Sequence, residues 1–408
     1  MAHIAPFKAV RPKPGAAEAV ASRPYDVLNT EEARNEARNN PDSFLHVTRS
    51  EIDLPHDVHV YSRLVYDKAK ENLETLIQKG VLIKDEKPCY YIYRLVMGKR
   101  DQTGLVCVSS VEDYNNDIIK KHEFTRPEKE NDRISHMTIT RAQTGNVFLA
   151  YKNDLELDKI ISNWKNDHSP IYNFKAEDKV EHTIWMVDEG AVINSITEAF
   201  DTRISHTYIA DGHHRAASAA KVLAALGNEA SEEAKFFLTT LFPANQLSIM
   251  DYNRVVKDLN DYSPEDFVSA LHDEFDVTLS VEPYAPTSLH EFGMYLKGQW
   301  YILTAKSGTY SEDPIGVLDV SILSNNVLDK YLDIKDQRTD KRIDFVGGIR
   351  GIGALQERVD SGEMAVAFSI FPVSIQQLFN IADSGNVMPP KSTWFEPKLR
   401  DGLLTHLI

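Results

Sequence analysis

Five consecutive residues, Asp211 to Arg215, bring a carboxylate, a glycine, two histidines and an arginine together in the stretch YIADGHHRAASAA, residues 208–220. An apolar, β-rich run precedes them, and an alanine-rich run with helical spacing follows. This pattern predicts a strand that ends at Ala210, a tight turn and a helix. We expect Asp211 to cap the helix and Gly212 to give the turn its backbone freedom.

The start of such a helix is suited to an anion, because its first N–H groups and the helix dipole attract negative charge. His213, His214 and Arg215 add hydrogen-bond donors there, and a guanidinium can hold a phosphate through two bonds. Cations at a helix N-terminus otherwise cost roughly 0.3–1 kcal/mol each. A capped helix with surface histidines explains each residue singly but the set poorly. We therefore predict a phosphate site with catalytic roles for Asp211, His213 and His214.

A second cluster, KKHEFTRPEKENDR, spans residues 120–133. Glu123 is a candidate base, His122 a candidate substrate ligand, and Arg126 and Arg133 are candidate phosphate ligands. A solvated, charged helix is an equally good interpretation of such a charge run. The proline at position 127 favours a loop over a continuous helix.

Two further stretches carry weaker signals. Tyr25 and Asp26 in RPYDVL are candidate substrate contacts, although a turn with a buried tyrosine fits as well. Lys391, Ser392 and Thr393 in MPPKSTWFEPKL are candidate phosphate ligands, but the preceding glycines of a P-loop are missing. The glycine-rich VGGIRGIG lacks the GxGxxG spacing, so we predict a packing turn, with an anion-binding turn as the alternative.

The sequence offers no arrangement for zinc. His213 and His214 are adjacent, so on a helix they diverge by about 100° and cannot easily share one ion. Neither HExxH nor a Cys/His ligand spacing occurs, and the two cysteines, Cys89 and Cys107, stand apart in β-rich runs. A Mg²⁺ ion held by carboxylates and bridging phosphates stays open.

The composition argues against large anionic partners. The chain has 45 Lys and Arg against 61 Asp and Glu, a net charge of −16, which opposes attraction to nucleic acid and to anionic membranes. The start lacks the apolar segment of a signal peptide, and no apolar run has the length of a membrane span. We expect a cytoplasmic protein, and a homodimer is left open.

The order of helical and strand patterns along the sequence predicts an α+β fold in two domains, residues 1–245 and 246–408. We expect Thr30 to cap a short helix, and CYYIYRLVMG and TGLVCVSSV to form a hairpin through the turn KRDQ. Residues 58–80 predict a helix whose apolar stripe is Leu64, Ala69, Leu73 and Ile77. The second domain should hold helices near 264–273 and 349–360 and the strands WYILTA and MAVAFSIFPV.

Six motifs, PYDV, HEFTRPEKENDR, YIADGHHRAASA, MDYNR, DKRIDFVGG and MPPKSTWFEPKL, occur in an order that resembles the bacterial domain-of-unknown-function family 1015. The strand, DGHHR and helix unit is more distantly similar to the superfamily of ParB partitioning proteins, sulfiredoxin and free serine kinases. That resemblance implies that the turn from Gly212 to Arg215 holds nucleotide phosphates. It also implies that Asp211 orients a metal ion or substrate hydroxyl, and that Glu123 matches the glutamate base of the kinases.

The function expected from these observations is phosphoryl transfer on a small hydroxylated metabolite, with serine or phosphoserine first. A kinase would use ATP or ADP with Mg²⁺, whereas a phosphatase would use His213 or His214 as acid or base. The alternative is a regulatory protein that binds a nucleotide or phosphorylated metabolite without turnover. DNA binding fits the charge least well.

Overall fold

The computed structural model describes residues 1–408, and the chain forms two compact units. The first unit comprises Met1–Lys121, Thr125–Leu247 and Pro397–Ile408. The second comprises His122–Phe124 and Ser248–Glu396. Each unit combines helices with a sheet that contains antiparallel strands, which confirms the predicted α+β class.

The helices and strands follow one another along both units. The helices are α1 (Ala17–Val20), α2 (Thr30–Ala37), α3 (Leu45–Thr48), α4 (Arg63–Gln78), α5 (Val111–Asn115), α6 (Pro127–Thr140), α7 (Leu155–Asp167), α8 (Gly190–Arg203), α9 (His213–Leu226), α10 (Pro264–Leu271), α11 (Asp319–Leu323), α12 (Gly353–Asp360) and α13 (Ile375–Asp383). The strands of the first unit are β1 (Ile4–Ala5), β2 (Val10–Pro12), β3 (Leu82–Lys84), β4 (Tyr90–Met97), β5 (Arg100–Ser110), β6 (Ile119–Lys120), β7 (Ala142–Gln143), β8 (Val147–Tyr151), β9 (Tyr172–Lys175), β10 (Glu181–Val187), β11 (Thr207–Asp211) and β12 (Phe236–Pro243). The remaining strands are β13 (Ile249–Met250), β14 (Tyr252–Val256), β15 (Phe275–Ser280), β16 (Glu291–Leu296), β17 (Gln299–Ala305), β18 (Ile343–Gly347), β19 (Val366–Ile370), β20 (Trp394–Phe395) and β21 (His406–Leu407), the last of which returns to the first unit.

The first unit is built on a nine-stranded mixed sheet. Its strands lie in the order β6-β11-β8-β12-β5-β4-β10-β9, and β1 pairs with β5. Strand β11 runs parallel to β6 and antiparallel to β8, and the pairing with β8 shifts register between Ile209 and Asp211. The chain leaves β11 at Asp211 and enters α9 within two residues. The sheet therefore fixes the position at which the DGHHR turn stands.

Helix α9 packs its alanine-rich face on this sheet. Ala216, Ala219 and Val222 are buried in one core cluster with Leu149 and Ile209 of the neighbouring strands. Small side chains let the helix axis lie close to the sheet, which keeps the first turn of α9 near the strand ends. The predicted helix after the motif, including its end at Gly227, is confirmed.

Three local predictions are corrected by the structure. Helix α4 begins at Arg63, and Leu64 and Ile77 of the predicted stripe are 61% and 36% exposed, because the buried face carries Val65, Tyr66, Ala69, Leu73 and Leu76. Asn29, not Thr30, caps α2, since its side chain accepts the Glu32 N–H at 2.9 Å. The predicted hairpin of β4 and β5 is present, but Met97 pairs with Arg100, so its turn has two residues.

The second unit contains a six-stranded antiparallel sheet in the order β15-β17-β16-β19-β14-β18. Helix α12 covers it, and Leu355 packs with Val255, Trp300 and Ala367. The predicted strands WYILTA and MAVAFSIFPV correspond to β17 and β19. Cys89 and Cys107 of the first unit are both buried free thiols. No helix in the chain combines the length and apolar character that a membrane crossing requires.

Candidate functional site

The DGHHR turn joins β11 to α9 without a side-chain cap. Strand β11 ends at Asp211, one residue later than predicted, and Gly212 itself occupies the N-cap position. The prediction that Asp211 caps the helix is therefore wrong. Its carboxylate instead faces two cations, with 3.2 Å to the Lys398 ammonium and 3.6 Å to the Arg215 guanidinium.

Gly212 is required by both conformation and space. Its φ of +100° lies in the left-handed region that side chains disfavour. A Cβ at this position would lie 3.1 Å from Nε of Arg215 and 3.3 Å from the Cα of Val147. The glycine thus lets the guanidinium pack directly against the turn, at the start of a 14-residue helix.

Arg215 is held from two sides. It is 8% exposed, and its Nη1 donates a hydrogen bond to the carbonyl of Asn146. Burial alone would lower the pKa of this guanidinium, but Asp211 and Asp26 outweigh burial and raise it. Burial alone would raise the pKa of the Asp211 carboxyl, but Lys398 and Arg215 hold it well below its usual range. Both groups are therefore charged at neutral pH.

The two histidines occupy different environments. His213 is 5% exposed, whereas His214 is half-buried. Nε2 of His214 accepts the backbone N–H of Arg126 at 2.9 Å, so this nitrogen carries a lone pair. That bond attaches the loop of the second predicted cluster to the first turn of α9. The side chain of Arg126 is exposed.

The second cluster is a helix for most of its length. Helix α6 starts at Pro127, because a proline suits the first helical position, where no N–H is needed. The predicted loop is thus limited to the residues before it. The buried face of α6 carries Glu130, Asp132, Arg133 and His136.

Glu130 connects α6 to α9. Its carboxylate forms an ion pair with Lys221 and accepts the Thr125 hydroxyl at 2.6 Å, while its backbone carbonyl accepts the Ser218 hydroxyl at 3.1 Å. Burial alone would raise the pKa of Glu130, but Lys221 and Thr125 outweigh it and lower the pKa. These bonds fix the register of the two helices at the site.

Arg133 lies over the ring of Tyr25. The guanidinium carbon is 3.9 Å from the ring centre, and Nη2 bonds to Asp132 at 2.8 Å. His136, one turn further along α6, donates from Nε2 to the Val47 carbonyl at 3.0 Å. Burial and the neighbouring Arg133 lower the pKa of His136 to about 4, so it is neutral at physiological pH.

A cavity of about 30 Å³ lies among these side chains. Its walls include Tyr25, Arg133, His136, Gly145 and Arg215, and it has room for about two water molecules. The structure thus brings three predicted site residues, Tyr25, Arg133 and Arg215, around one space. Asp26, next to Tyr25, is exposed.

Sequence reasoning missed two residues near the C-terminus. Lys398 pairs with Asp211, as described above, and Asp401 is 2% exposed. Oδ2 of Asp401 has no hydrogen-bond partner, and a Cβ on Gly145 would lie 3.4 Å from its Oδ1. Burial raises the pKa of Asp401 to about 7, although Arg215 partly offsets this effect. The only sequence signal was the stretch KLRDG directly after the MPPKSTWFEP loop.

Five predicted site residues belong to the second unit: His122, Glu123, Lys391, Ser392 and Thr393. There, the carbonyl of His122 accepts the Met388 N–H at 2.9 Å. The Ser392 hydroxyl is buried and donates to the Pro389 carbonyl at 2.6 Å. Neither unit contains a group of three or more His, Cys, Asp and Glu side chains that could hold a metal ion.

Several solved structures are similar to the chain at low identity. A free serine kinase in complex with AMP is 12% identical over 74% of this chain and 91% of that chain, with a TM-score of 0.37. A conserved hypothetical protein from Pyrococcus furiosus is 14% identical over 76% of this chain and 98% of that chain, with a TM-score of 0.38. SbnI with a C-terminal truncation, from Staphylococcus aureus, is 12% identical over 74% of this chain and 87% of that chain, with a TM-score of 0.39. Scores of this size establish no shared activity.

None of the curated proteins matches the chain. The model of the family described as Protein of unknown function (DUF1015) matches residues 4–321, which is most of the sequence and includes the DGHHR turn. This match confirms the resemblance drawn from the six ordered motifs. The chain therefore belongs to the DUF1015 family of proteins of unknown function.

Proposed function

We propose that the first unit binds the phosphate group of a small metabolite at the start of α9 and transfers a phosphoryl group to or from a hydroxyl. Serine and phosphoserine are the first compounds to test. The observation that carries the proposal is the uncapped start of α9 at Gly212, directly beside the buried guanidinium of Arg215. Backbone donors, the helix dipole and a fixed cation at one point favour an oxyanion.

Arg215 and Lys398 would supply the positive charge. Asp211 faces both cations and holds them at the turn, which makes it a positioning residue more than a base. Its lowered pKa supports this role, because a strongly acidic carboxyl is a weak proton acceptor. Phosphoryl transfer depends mainly on positioning and on stabilising negative charge, and the arrangement suits both.

Asp401 is our proposed proton acceptor. Its free Oδ2 and its pKa of about 7 suit a group that takes up a proton near neutral pH. Nε2 of His214 already accepts the N–H of Arg126. Catalytic roles for Glu123, His213 and His214 stay predictions.

Asp211 fits a Mg²⁺ ion poorly, because Lys398 and Arg215 already neutralise its carboxylate. Mg²⁺ usually takes one or two carboxylates together with phosphates and water. We therefore expect inorganic phosphate to bind the first unit without Mg²⁺. A kinase reaction would add a nucleotide such as ATP, whose Mg²⁺ would come with its own phosphates.

The experiment is a thermal-shift and turnover screen on the full chain. Inorganic phosphate, phosphoserine, ATP and ADP are each tested with EDTA and with Mg²⁺, followed by assays for phosphate release from phosphoserine and for serine-dependent consumption of ATP. Arg215→Gln should abolish the shift, and Arg38→Gln, whose exposed side chain lies at the end of α2, should not. Phosphate binding without any turnover would replace the enzyme by a regulatory binding protein. Identical behaviour of Arg215→Gln and the native chain would refute the phosphate site.

A further inference from the structure

A second cavity in the first unit, of about 290 Å³, adjoins the candidate site. Tyr25, Arg133 and His136 line both this cavity and the smaller one at Arg215. The three side chains therefore form a wall common to both spaces. A volume of this size is close to the lower end of small-molecule sites, roughly 300–1,000 Å³.

The carboxylates of the larger cavity are already neutralised by arginines in its wall. Glu51 lies 2.9 Å from Nε of Arg49, and Asp132 lies 2.8 Å from Nη2 of Arg133. Asp132 also accepts the hydroxyl of Tyr66 at 3.0 Å. Both carboxylates are nearly inaccessible to solvent, so we expect their ion pairs with the two arginines to persist. They contribute no net charge to the cavity.

Lys129 leaves one positive charge in surplus. Its ammonium lies 5.7 Å from the ring centre of Tyr61 and forms no ion pair with a carboxylate. It stands in the first turn of α6, where the helix dipole disfavours a cation. Lys129 is thus a cation in the cavity wall that no carboxylate neutralises.

We propose that this cavity binds a single carboxylate of the substrate, with Lys129 as its partner. One surplus charge matches a carboxylate, which carries one negative charge, better than a phosphate monoester, which carries nearly two. The proposal rests on the proposed function: the hydroxyl or phosphate end of the same molecule would lie at the start of α9, on the side of Tyr25, Arg133 and His136 that faces Arg215. The substrate class is then a short carboxylic acid that carries a hydroxyl or a phosphate.

The test compares two ligands that differ only in the carboxylate. Phosphoserine and phosphoethanolamine share the phosphate and the ammonium, and their affinities for the full chain are measured by calorimetry. We expect phosphoserine to bind about tenfold more tightly, as for one charge-assisted hydrogen bond. Lys129→Ala should remove this difference, and Lys129→Arg should retain most of it. Lys70→Ala, on the exposed face of α4, is the matched control.

The outcomes separate this inference from the proposed function. Equal affinity of the native chain for the two ligands would overturn the carboxylate site and leave the phosphate site intact. Failure of inorganic phosphate to bind would overturn the proposed function. In that case ligand-observed NMR with serine and ethanolamine judges the cavity alone. Serine binding that depends on Lys129 supports the inference, and absence of serine binding overturns it.

Discussion

At the scale of single residues, the first unit buries several charged side chains. Arg215 and Arg133 are both buried, and each faces a carboxylate and the region of Tyr25. Such charges are maintained only while their partners stay in place, because an unpaired buried charge costs several kcal/mol. The site is therefore preorganised by pairing, and its behaviour should depend on the protonation of the acids around Arg215.

Asp401 should make anion binding depend on pH. Below about pH 7 the Asp401 carboxyl is protonated and neutral. It then no longer competes with an anionic ligand for the positive charge of Arg215. We expect sulfate, whose charge is constant in this range, to bind more tightly at pH 6 than at pH 8. In Asp401→Asn this difference between pH 6 and pH 8 should be greatly reduced. Titration calorimetry at both pH values measures the effect, and an unchanged ratio in the variant would contradict it.

Asp319 in the second unit should lower stability as the pH rises. Burial raises its pKa to about 7, partly offset by the His290 N–H, and its Oδ2 has no hydrogen-bond partner. The native state thus holds this proton more tightly than the unfolded chain between about pH 4 and pH 7, and stability falls through that window. Asp319→Asn should be more stable than the native chain at pH 8, by on the order of 2–4 kcal/mol.

The comparison at pH 4 provides the control for Asp319, because both chains are uncharged at this position there. Urea unfolding followed at the two pH values gives the free energies of unfolding. A difference between variant and native chain that is the same at pH 4 and pH 8 would show that Asp319 does not titrate near neutrality.

At the scale of elements, the site depends on the strand, turn and helix that the sequence pattern predicted. The glycine was identified correctly, but the cap was not. Aspartate is a common N-cap, yet here the bulge in β11 and the left-handed Gly212 move the helix start by one residue. The carboxylate is thereby directed to Lys398 and Arg215 instead of to the helix N–H groups.

Gly212→Ala should impair both stability and binding. The new Cβ would be strained at a φ of +100° and would press on Arg215 and Val147. We expect a loss of about 1–3 kcal/mol in the free energy of unfolding and a weaker thermal shift with inorganic phosphate. Gly190→Ala, at the first residue of α8 with nothing within 4 Å, is the control and should be close to neutral. Equal effects of the two changes would argue against the special role of Gly212.

At the scale of the whole molecule, the chain returns to its first unit for the last twelve residues, Pro397–Ile408. Asp401 exchanges two backbone hydrogen bonds with Ser22, and Thr405 exchanges two with Val10. Strand β21 then pairs with β7. The site residues Lys398 and Asp401 are thus delivered by a segment that also closes the fold.

Deletion of residues 397–408 should unfold the first unit. Leu399, Leu403 and Leu404 are buried, and burial of each contributes about 1.5–3 kcal/mol. Their sum approaches the typical stability of a domain, about 5–15 kcal/mol. Leu403→Ala alone should cost about 2–5 kcal/mol and keep the fold. Thermal unfolding followed by circular dichroism tests both, and a native-like transition in the deletion variant would contradict the expectation.

The sequence by itself determined the local parts of this protein. The β-rich run, the glycine and the alanine-rich period specify β11, the turn and α9, because backbone preference and hydrophobic spacing are properties of neighbouring residues. Motif order also identified the family, and the same local reasoning made Arg215 a candidate phosphate ligand. The sequence pattern favoured a loop at Pro127, whereas the structure has the start of helix α6 there. Proline interrupts the interior of a helix but suits its first position, so the residue alone does not distinguish the two.

Only the tertiary structure decided which charges meet. Lys398 lies 187 residues from Asp211 in the sequence, and no local pattern records that they are neighbours. Burial, which raises the pKa of Asp401 to about 7 and lowers that of His136 to about 4, is a property of the packed core. The unpaired charge of Lys129 is likewise evident only in the folded chain, where Glu51 and Asp132 form ion pairs with arginines. The pairing and desolvation of charged side chains depend on distances across the fold. The local sequence does not contain these distances.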